Sequence, residues 1–506
     1  MSRIVTTLIP QSVELGLDAC RRAQMCGADM VEYRLDHFHS PTAVLELVRN
    51  SPAPVLASCR VKEDGGAFTG DPDLRRELLV AAAEGGAEWI DVEHWEGLSL
   101  PGGLRTRLLR SYHKFDGAPR DLLNIVDRMA YSGADAVKVT LMGYDAADLR
   151  VVGELYRRHY PVPLVAFLAG QAGVASRYLA LMQGAPFLYT ALGPGQAAAP
   201  GQPELFEALE VFRGKSLGTD ICFWGLMGSP VRNSLGYRLH NGLGRWLREV
   251  PVYLPFDTKH PETLLAHLRT FGPRFLGLSV TAPHKSRVLG LLDGIGREAK
   301  ECGAVNTIIH RDGMLVGQNT DIEGVRRAIQ SGFSGQRIPE GCRALVLGSG
   351  GGARAAILAL MKDGCEVHVA CRTQGRIKDF TRPYEIPLIP IDSKAIRSLE
   401  PQIIVHATPV GSLALEDAKG PAALLEIEDI PAGAVVLDMV YRPARTELLR
   451  RAERAGARPV SGLWMFLHQA WFQIAHVLGS KQSLPGLQSL ALLLGPEGRD
   501  LRALET

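Results

Sequence analysis

Two lysines in this sequence stand where an amine can do chemistry. The first, Lys138, lies in the run Ala136-Val137-Lys138-Val139. A lysine between β-branched residues of a strand points into a central cavity or into a layer of helices, and neither welcomes an ammonium. Loss of water lowers its pKa and leaves a neutral amine able to attack a ketone and form an imine. The plain alternative is a strand-end lysine paired with a carboxylate. Its neighbours shift the balance: His113 offers an acid–base group, with Glu93 on the preceding strand to orient it, and Arg34, Arg60 and Arg177 offer three guanidinium forks for a carboxylate-bearing polyol. The second lysine, Lys285, follows Val280-Thr281-Ala282-Pro283-His284. Brought against Asp321 across a cleft, it would form a proton-transfer pair for alcohol oxidation, with hydride leaving for a nicotinamide. Here the alternative is a salt bridge among polar loop residues.

Those side chains need strands to aim them. Up to about residue 212 short apolar runs alternate with helical patterns: Ile4–Leu8, Met30–Leu35, Val55–Cys59, Trp89–Glu93, Leu108–His113, Ala136–Thr140, Pro163–Leu168 and Phe187–Leu192. About eight β/α units predict a (β/α)₈ barrel, whose chemistry sits at the C-terminal strand ends. A doubly wound open sheet is the alternative, and the charged strand ends favour the barrel. Arg213–Asp220 is polar and glycine-bearing and reads as a linker. The β/α alternation then resumes. We expect domains at 1–212, 221–337 and 338–460, with helices of 461–506 returning to the 221–337 domain.

In the 338–460 segment, Leu345-Val346-Leu347 leads into Gly348-Ser349-Gly350-Gly351-Gly352-Ala353 and an alanine-rich helix. Glycines there let a pyrophosphate approach the backbone at a helix N-terminus. The next strand ends in Cys371-Arg372-Thr373 rather than in an acidic residue. Arg372 and Thr373 suit a ribose 2′-phosphate, which favours NADP over NAD; the alternative for Arg372 is an ordinary surface arginine.

Composition bounds the rest. The 506 residues carry a net charge of +2, with 46% hydrophobic and 22% charged residues, an ordinary globular balance. Basic residues are spread along the chain, so neither nucleic acid nor a membrane is an expected partner. No apolar run nears the ~20 residues of a membrane span. The 8 cysteines form no C-x-x-C pair and no zinc spacing. Reduced thiols, no metal and a cytoplasmic setting are expected.

Two resemblances organise these residues. Glu32-x-Arg34-x-Asp36, Ser58-Cys59-Arg60, Tyr112-His113, Val137-Lys138-Val139, Ser176-Arg177 and Ala199-Pro200-Gly201-Gln202 resemble type I 3-dehydroquinate dehydratase. That resemblance implies a Schiff base on Lys138 and acid–base work by His113. It also implies substrate contacts from Glu32, Arg34, Arg60, Arg177 and Gln202. Where the family often has serine, Ala198 stands here.

Gly228-Ser229-Pro230, Ser234, Thr281, Lys285, Asn306-Thr307, Asn319-Thr320-Asp321, the glycine loop, Asp438-Met439-x-Tyr441 and Gly462 through Gln469 resemble shikimate dehydrogenase. The implied fold is a two-domain dehydrogenase with a Rossmann-type NADP-binding domain. Lys285 and Asp321 would handle the proton; Ser234, Thr281, Asn306, Tyr441 and Gln469 would contact substrate; Gly462 and Met465 would lie near the nicotinamide. Gly236, Ser279 and Cys371 depart from the family's usual serine and asparagines, and Gly236 leaves quinate open beside shikimate.

Together the halves imply a bifunctional enzyme taking 3-dehydroquinate to 3-dehydroshikimate and then, with NADPH, to shikimate. A metabolite-sensing regulator on the same folds would lose Lys138, His113, Lys285 or Asp321, and all four are present. A class I aldolase would share the lysine but not Glu32-x-Arg34-x-Asp36 and Pro200-Gly201-Gln202.

Overall fold

The computed structural model describes residues 2–98, 100–232, 234–247, 250–413, 422–479 and 484–496. Its chain divides into two compact units, Met1–Arg232 with Pro251–Phe275, and Asn233–Val250 with Leu276–Thr506.

The first unit is built on eight parallel strands: β1 (Arg3–Leu8), β2 (Met30–Arg34), β3 (Val55–Ser58), β4 (Trp89–Glu93), β5 (Arg107–Lys114), β6 (Ala136–Met142), β7 (Leu164–Ala169) and β8 (Phe187–Ala191). They run in the order β7-β6-β5-β4-β3-β2-β1-β8, a nearly closed (β/α)₈ barrel. The connecting helices start where the sequence supplies caps. Ser40 caps Pro41–Arg49 and Asp71 caps Pro72–Glu84, each with proline in the first turn. Val5, Met30, Leu56, Trp89, Leu109, Ala136, Val165 and Phe187 fill the barrel with apolar side chains. The polar residues further along these strands therefore look into the other end of the barrel.

The same unit includes β9 (Phe223–Gly228), β10 (Val252–Asp257) and the helix Pro261–Arg269. The two strands pair in parallel. Asp145, in the loop after β6, accepts hydrogen bonds from the Thr258 hydroxyl and, at 2.6 Å, from the Lys259 N–H. Arg274 donates to the Met182 carbonyl at 2.8 Å. Gly153 lets the helix Leu149–Tyr156 approach the helix Pro261–Arg269 closely, for a Cβ there would lie 2.3 Å from the His267 ring.

In the second unit β11 (Phe275–Val280) pairs antiparallel with β13 (Thr307–Arg311) after the short β12 (Gly294–Ile295). β14 (Met314–Gln318) pairs with both β12 and β13. Six further parallel strands follow: β15 (Arg343–Leu347), β16 (Glu366–Ala370), β17 (Leu388–Ile389), β18 (Ile403–His406), β19 (Val435–Asp438) and β20 (Arg458–Ser461). Their order is β17-β16-β15-β18-β19-β20, a doubly wound sheet with its crossover between β15 and β18. The helix Gly462–Leu478 leaves β20 and packs on the helix Asp321–Gly332. Contact is closest at Gly324, where a Cβ would meet Gln469 Cβ at 2.9 Å. No described helix is long and apolar enough to cross a membrane.

Candidate active sites

In the barrel, strand alternation brings side chains two residues apart to one face. Glu32, Arg34, Arg60, His113, Lys138, Arg177 and Gln202 all line one cavity of about 270 Å³. Lys138 is 4% exposed, and its Nζ lies 2.6 Å from Asp91 Oδ2 and over the Tyr189 ring. Asp91 is shared, for Arg60 Nη2 donates to the same oxygen at 2.8 Å. Burial alone would raise the Asp91 carboxyl, but Arg60 and Lys138 hold it well below the usual carboxylate range. Burial lowers the Lys138 amine, aided by Arg60 and opposed by Asp91 and Glu32.

His113 is pushed well below its ordinary value by burial, then by Arg60 and Lys138. Arg60 Nη1 stands 2.9 Å from His113 Nδ1. A guanidinium only donates, so Nδ1 accepts and the neutral ring carries its proton on Nε2. Here the structure departs from the sequence reading that made Glu93 the orienting group. Glu93 is bound by Arg75 and, at 3.4 Å, by Arg60 Nη1. Arg60 thus intervenes between carboxylate and imidazole, and Arg75 arrives from the helix Pro72–Glu84, a contact that strand spacing does not announce.

The opposite wall is polar in a different way. Glu32 accepts from Thr7 at 2.7 Å and from Ser58 at 3.0 Å. Gln202 donates to Thr7 at 3.0 Å and accepts from the Ala198 N–H at 2.7 Å. Arg34 is a fork on Asp36, with a 2.6 Å contact. Arg177 has no carboxylate among the described residues: it lies over the Phe167 ring and reaches Pro200 O at 3.5 Å, with Nε bonding nothing. Burial pushes its guanidinium down to about 10.

In the second unit Lys285 Nζ lies 2.6 Å from Asp321 Oδ2. Asn306 Nδ2 donates to Asp321 Oδ1 at 2.8 Å and approaches Gln469 Oε1 at 3.4 Å. Thr320 N and Thr307 Oγ1 fix the Asn306 carbonyl oxygen at 2.8 and 2.9 Å. Tyr441 stacks on Phe466, and its hydroxyl, raised by burial, is bonded to Ser234. Thr281, half-buried, follows β11 directly.

Type I 3-dehydroquinase matches residues 4–217, and the shikimate dehydrogenase substrate binding domain matches residues 226–308. Shikimate dehydrogenase (NADP(+)) of Methanopyrus kandleri is 37% identical over 48% of this chain and 86% of its own. A solved structure, dehydroquinate dehydratase and shikimate dehydrogenase from S. pombe AroM, is 26% identical, covers 98% of each chain and has a TM-score of 0.44. The bifunctional 3-dehydroquinate dehydratase/shikimate dehydrogenase, chloroplastic, of Arabidopsis thaliana is 30% identical over 93% of this chain and 81% of its own. The chain belongs to this bifunctional family.

The dehydrogenase uses NADP, and the glycine loop fits it. Gly348 has φ +134°, and a Cβ there would lie 2.8 Å from Ala407 O. Gly350 precedes the helix Gly351–Lys362 with no side-chain cap, so the helix N-terminus is open to a pyrophosphate. Ser349 lies in this turn, Gly351, Gly352 and Ala353 open the helix, and Arg372 and Thr373 are exposed just beyond β16. Lys285 Cδ would lie 3.5 Å from a Cβ on Gly351, so Lys285 sits against the start of the helix Gly351–Lys362. Gly462 admits no side chain either, because a Cβ would lie 2.5 Å from Asp438 O; Met465 is buried one turn later.

Several residues of the barrel cavity were given no role in the sequence reading. Asp91 partners the lysine, and Asp64, Thr140 and Tyr189 line the cavity. Period-two spacing signalled two of them: Thr140 follows Lys138 by two, and Asp91 precedes Glu93 by two. Asp64 sits on a short turn, Lys62–Asp64, that carries no periodicity.

Proposed function

We propose that the dehydratase works through an imine on Lys138 with His113 as acid and base, and that Lys285 and Asp321 handle the proton of the dehydrogenase. The observation that carries this reading is the Lys138 amine, buried in a cavity beside Asp91, Arg60 and His113.

Burial favours the neutral amine, which adds to the C3 ketone; loss of water leaves the imine. Electron withdrawal by the imine acidifies C2. When a ring hydroxyl draws Arg60 away, His113 Nδ1 is released to take the C2 proton and return it to the departing C1 hydroxyl, which leaves as water. Arg177 and Gln202 hold the substrate carboxylate, the guanidinium regaining there the anion that the fold does not give it. Glu32, Arg34 and Arg60 hold ring hydroxyls, while Glu93 acts at one remove by fixing Arg60.

In the dehydrogenase, NADPH supplies the hydride when bound. Gly348 through Ala353 would hold its pyrophosphate and Arg372 and Thr373 its 2′-phosphate, with Gly462 and Met465 on the nicotinamide side. Lys285 donates a proton to the ketone oxygen as it becomes a hydroxyl, Asp321 positions that amine, and Asn306 positions Asp321. Ser234, Thr281, Tyr441 and Gln469 hold the substrate. A cytoplasmic setting is supported by eight cysteines that are all free.

Pure protein given 3-dehydroquinate should develop enone absorbance, and added NADPH should then be consumed. Borohydride during turnover should add the substrate mass to the peptide containing Lys138. Lys138→Ala should abolish the first activity and spare the second; Lys285→Ala should do the reverse. Full dehydratase rate in Lys138→Ala would end this reading of the barrel, and full dehydrogenase rate in Lys285→Ala that of the second unit.

A further inference from the structure

Two buried hydroxyls of the dehydratase cavity, on Thr140 and Tyr189, have no task in this scheme, and Thr140 is the one in register with His113. Thr140 is 4% exposed, and its Oγ1 bonds nothing. It lines the cavity together with Lys138, His113, Phe115, Met142 and Phe167. Strand geometry fixes its place: Thr140 shares a face with Lys138 and lies directly across from His113 on β5, as Lys138 lies across from Ser111. A buried polar group without a partner is rare in folded proteins and marks a place where something else binds.

What binds there follows from the neighbours. The polyol and carboxylate of the substrate are already answered by Glu32, Arg34, Arg60, Arg177 and Gln202. Phe115, Met142 and Phe167 beside Thr140 have no strong hydrogen-bonding group. The reaction also needs a water at the carbon joined to Lys138 Nζ, within reach of a proton acceptor, and the hydroxyl between lysine and histidine can hold it. We propose that Thr140 is a catalytic residue of the dehydratase whose hydroxyl binds the water that hydrolyses the product imine. The inference rests on the Lys138 imine. In this step the water oxygen bonds to the imine carbon, one water proton passes to His113, and His113 hands it on to the nitrogen, giving a carbinolamine. On collapse the carbinolamine hydroxyl proton passes through His113 to the nitrogen, the ketone C=O forms, and the C–N bond breaks to return the amine of Lys138. Thr140 Oγ1 bonds the water and neither gains nor loses a proton overall.

The test compares Thr140→Val, Thr140→Ala and Thr140→Ser with the unsubstituted full chain. The melting temperature and far-UV circular dichroism of each preparation verify that the barrel is folded. Valine and alanine should lower dehydratase kcat roughly tenfold, the loss of one hydrogen bond to the hydrolytic water. The fraction of Lys138 trapped by borohydride during turnover should rise, and serine should restore both. Unchanged kcat in valine and alanine, or a lower kcat with no rise in trapped adduct, would overturn the proposal. If the unsubstituted protein traps nothing on Lys138, the imine reading itself fails and this inference falls with it.

Discussion

At Lys138 two effects of similar kind pull in opposite directions. Burial disfavours the ammonium, while the Asp91 carboxylate 2.6 Å away favours it, and burial prevails. His113 feels the same surroundings with less relief, since Arg60 and Lys138 both add to burial. A histidine held below its ordinary value stays an available base at lower pH. The acid limb of dehydratase kcat/KM should therefore fall below pH 6.5 in a pH–rate profile. A limb at pH 7 or above would contradict this electrostatic picture. The residue types were legible in the sequence, because lysine and histidine inside strands are conspicuous. Their partners were not. Whether Asp91 or Glu93 meets a given side chain depends on register between strands, and on Arg60 and Arg75 arriving from elsewhere.

Elements were legible where a pattern had room to repeat. All eight barrel strands were found within a residue or two, because buried parallel strands are continuous apolar runs. The short β12 and β17 were not, since two residues carry no period. The glycine loop was readable because strand, glycines and helix follow one another in order. Gly348 makes that loop testable. A side chain there would sit at a φ of +134° and press on the Ala407 carbonyl. Gly348→Ala should raise the KM for NADPH at least about tenfold, a shift of roughly 1.4 kcal/mol, and leave dehydratase kcat unchanged. An unchanged KM would show that the loop does not carry the pyrophosphate.

On the scale of the whole molecule, buried and half-buried neutral histidines tie stability to acidity. Burial lowers His240 to about 3, and His267 and His468 to about 4. In the unfolded chain these rings protonate near pH 6.5. Between pH 6.5 and about 4 the unfolded state therefore binds protons that the native state refuses. Their contribution is fully present above pH 6.5 and is lost as pH falls. Thermal unfolding should shift down by about 5 °C or more between pH 7 and pH 4.5; a flat melting temperature would contradict the burial of these rings.

The polar run 213–220 marks a seam in the sequence, yet β9, β10 and the helix after them are grouped with the barrel through Asp145, Gly153 and Met182. Evolutionary parentage and mechanical unity thus draw their borders about fifty residues apart. Scissors applied at the seam would strip the lyase of cladding and leave the Asp145 carboxylate facing water. A fragment ending at Phe275 should melt higher than one ending at Asp220. Anyone wishing to harvest the two catalysts separately should expect the lyase to need a stretch that the other's ancestry supplied.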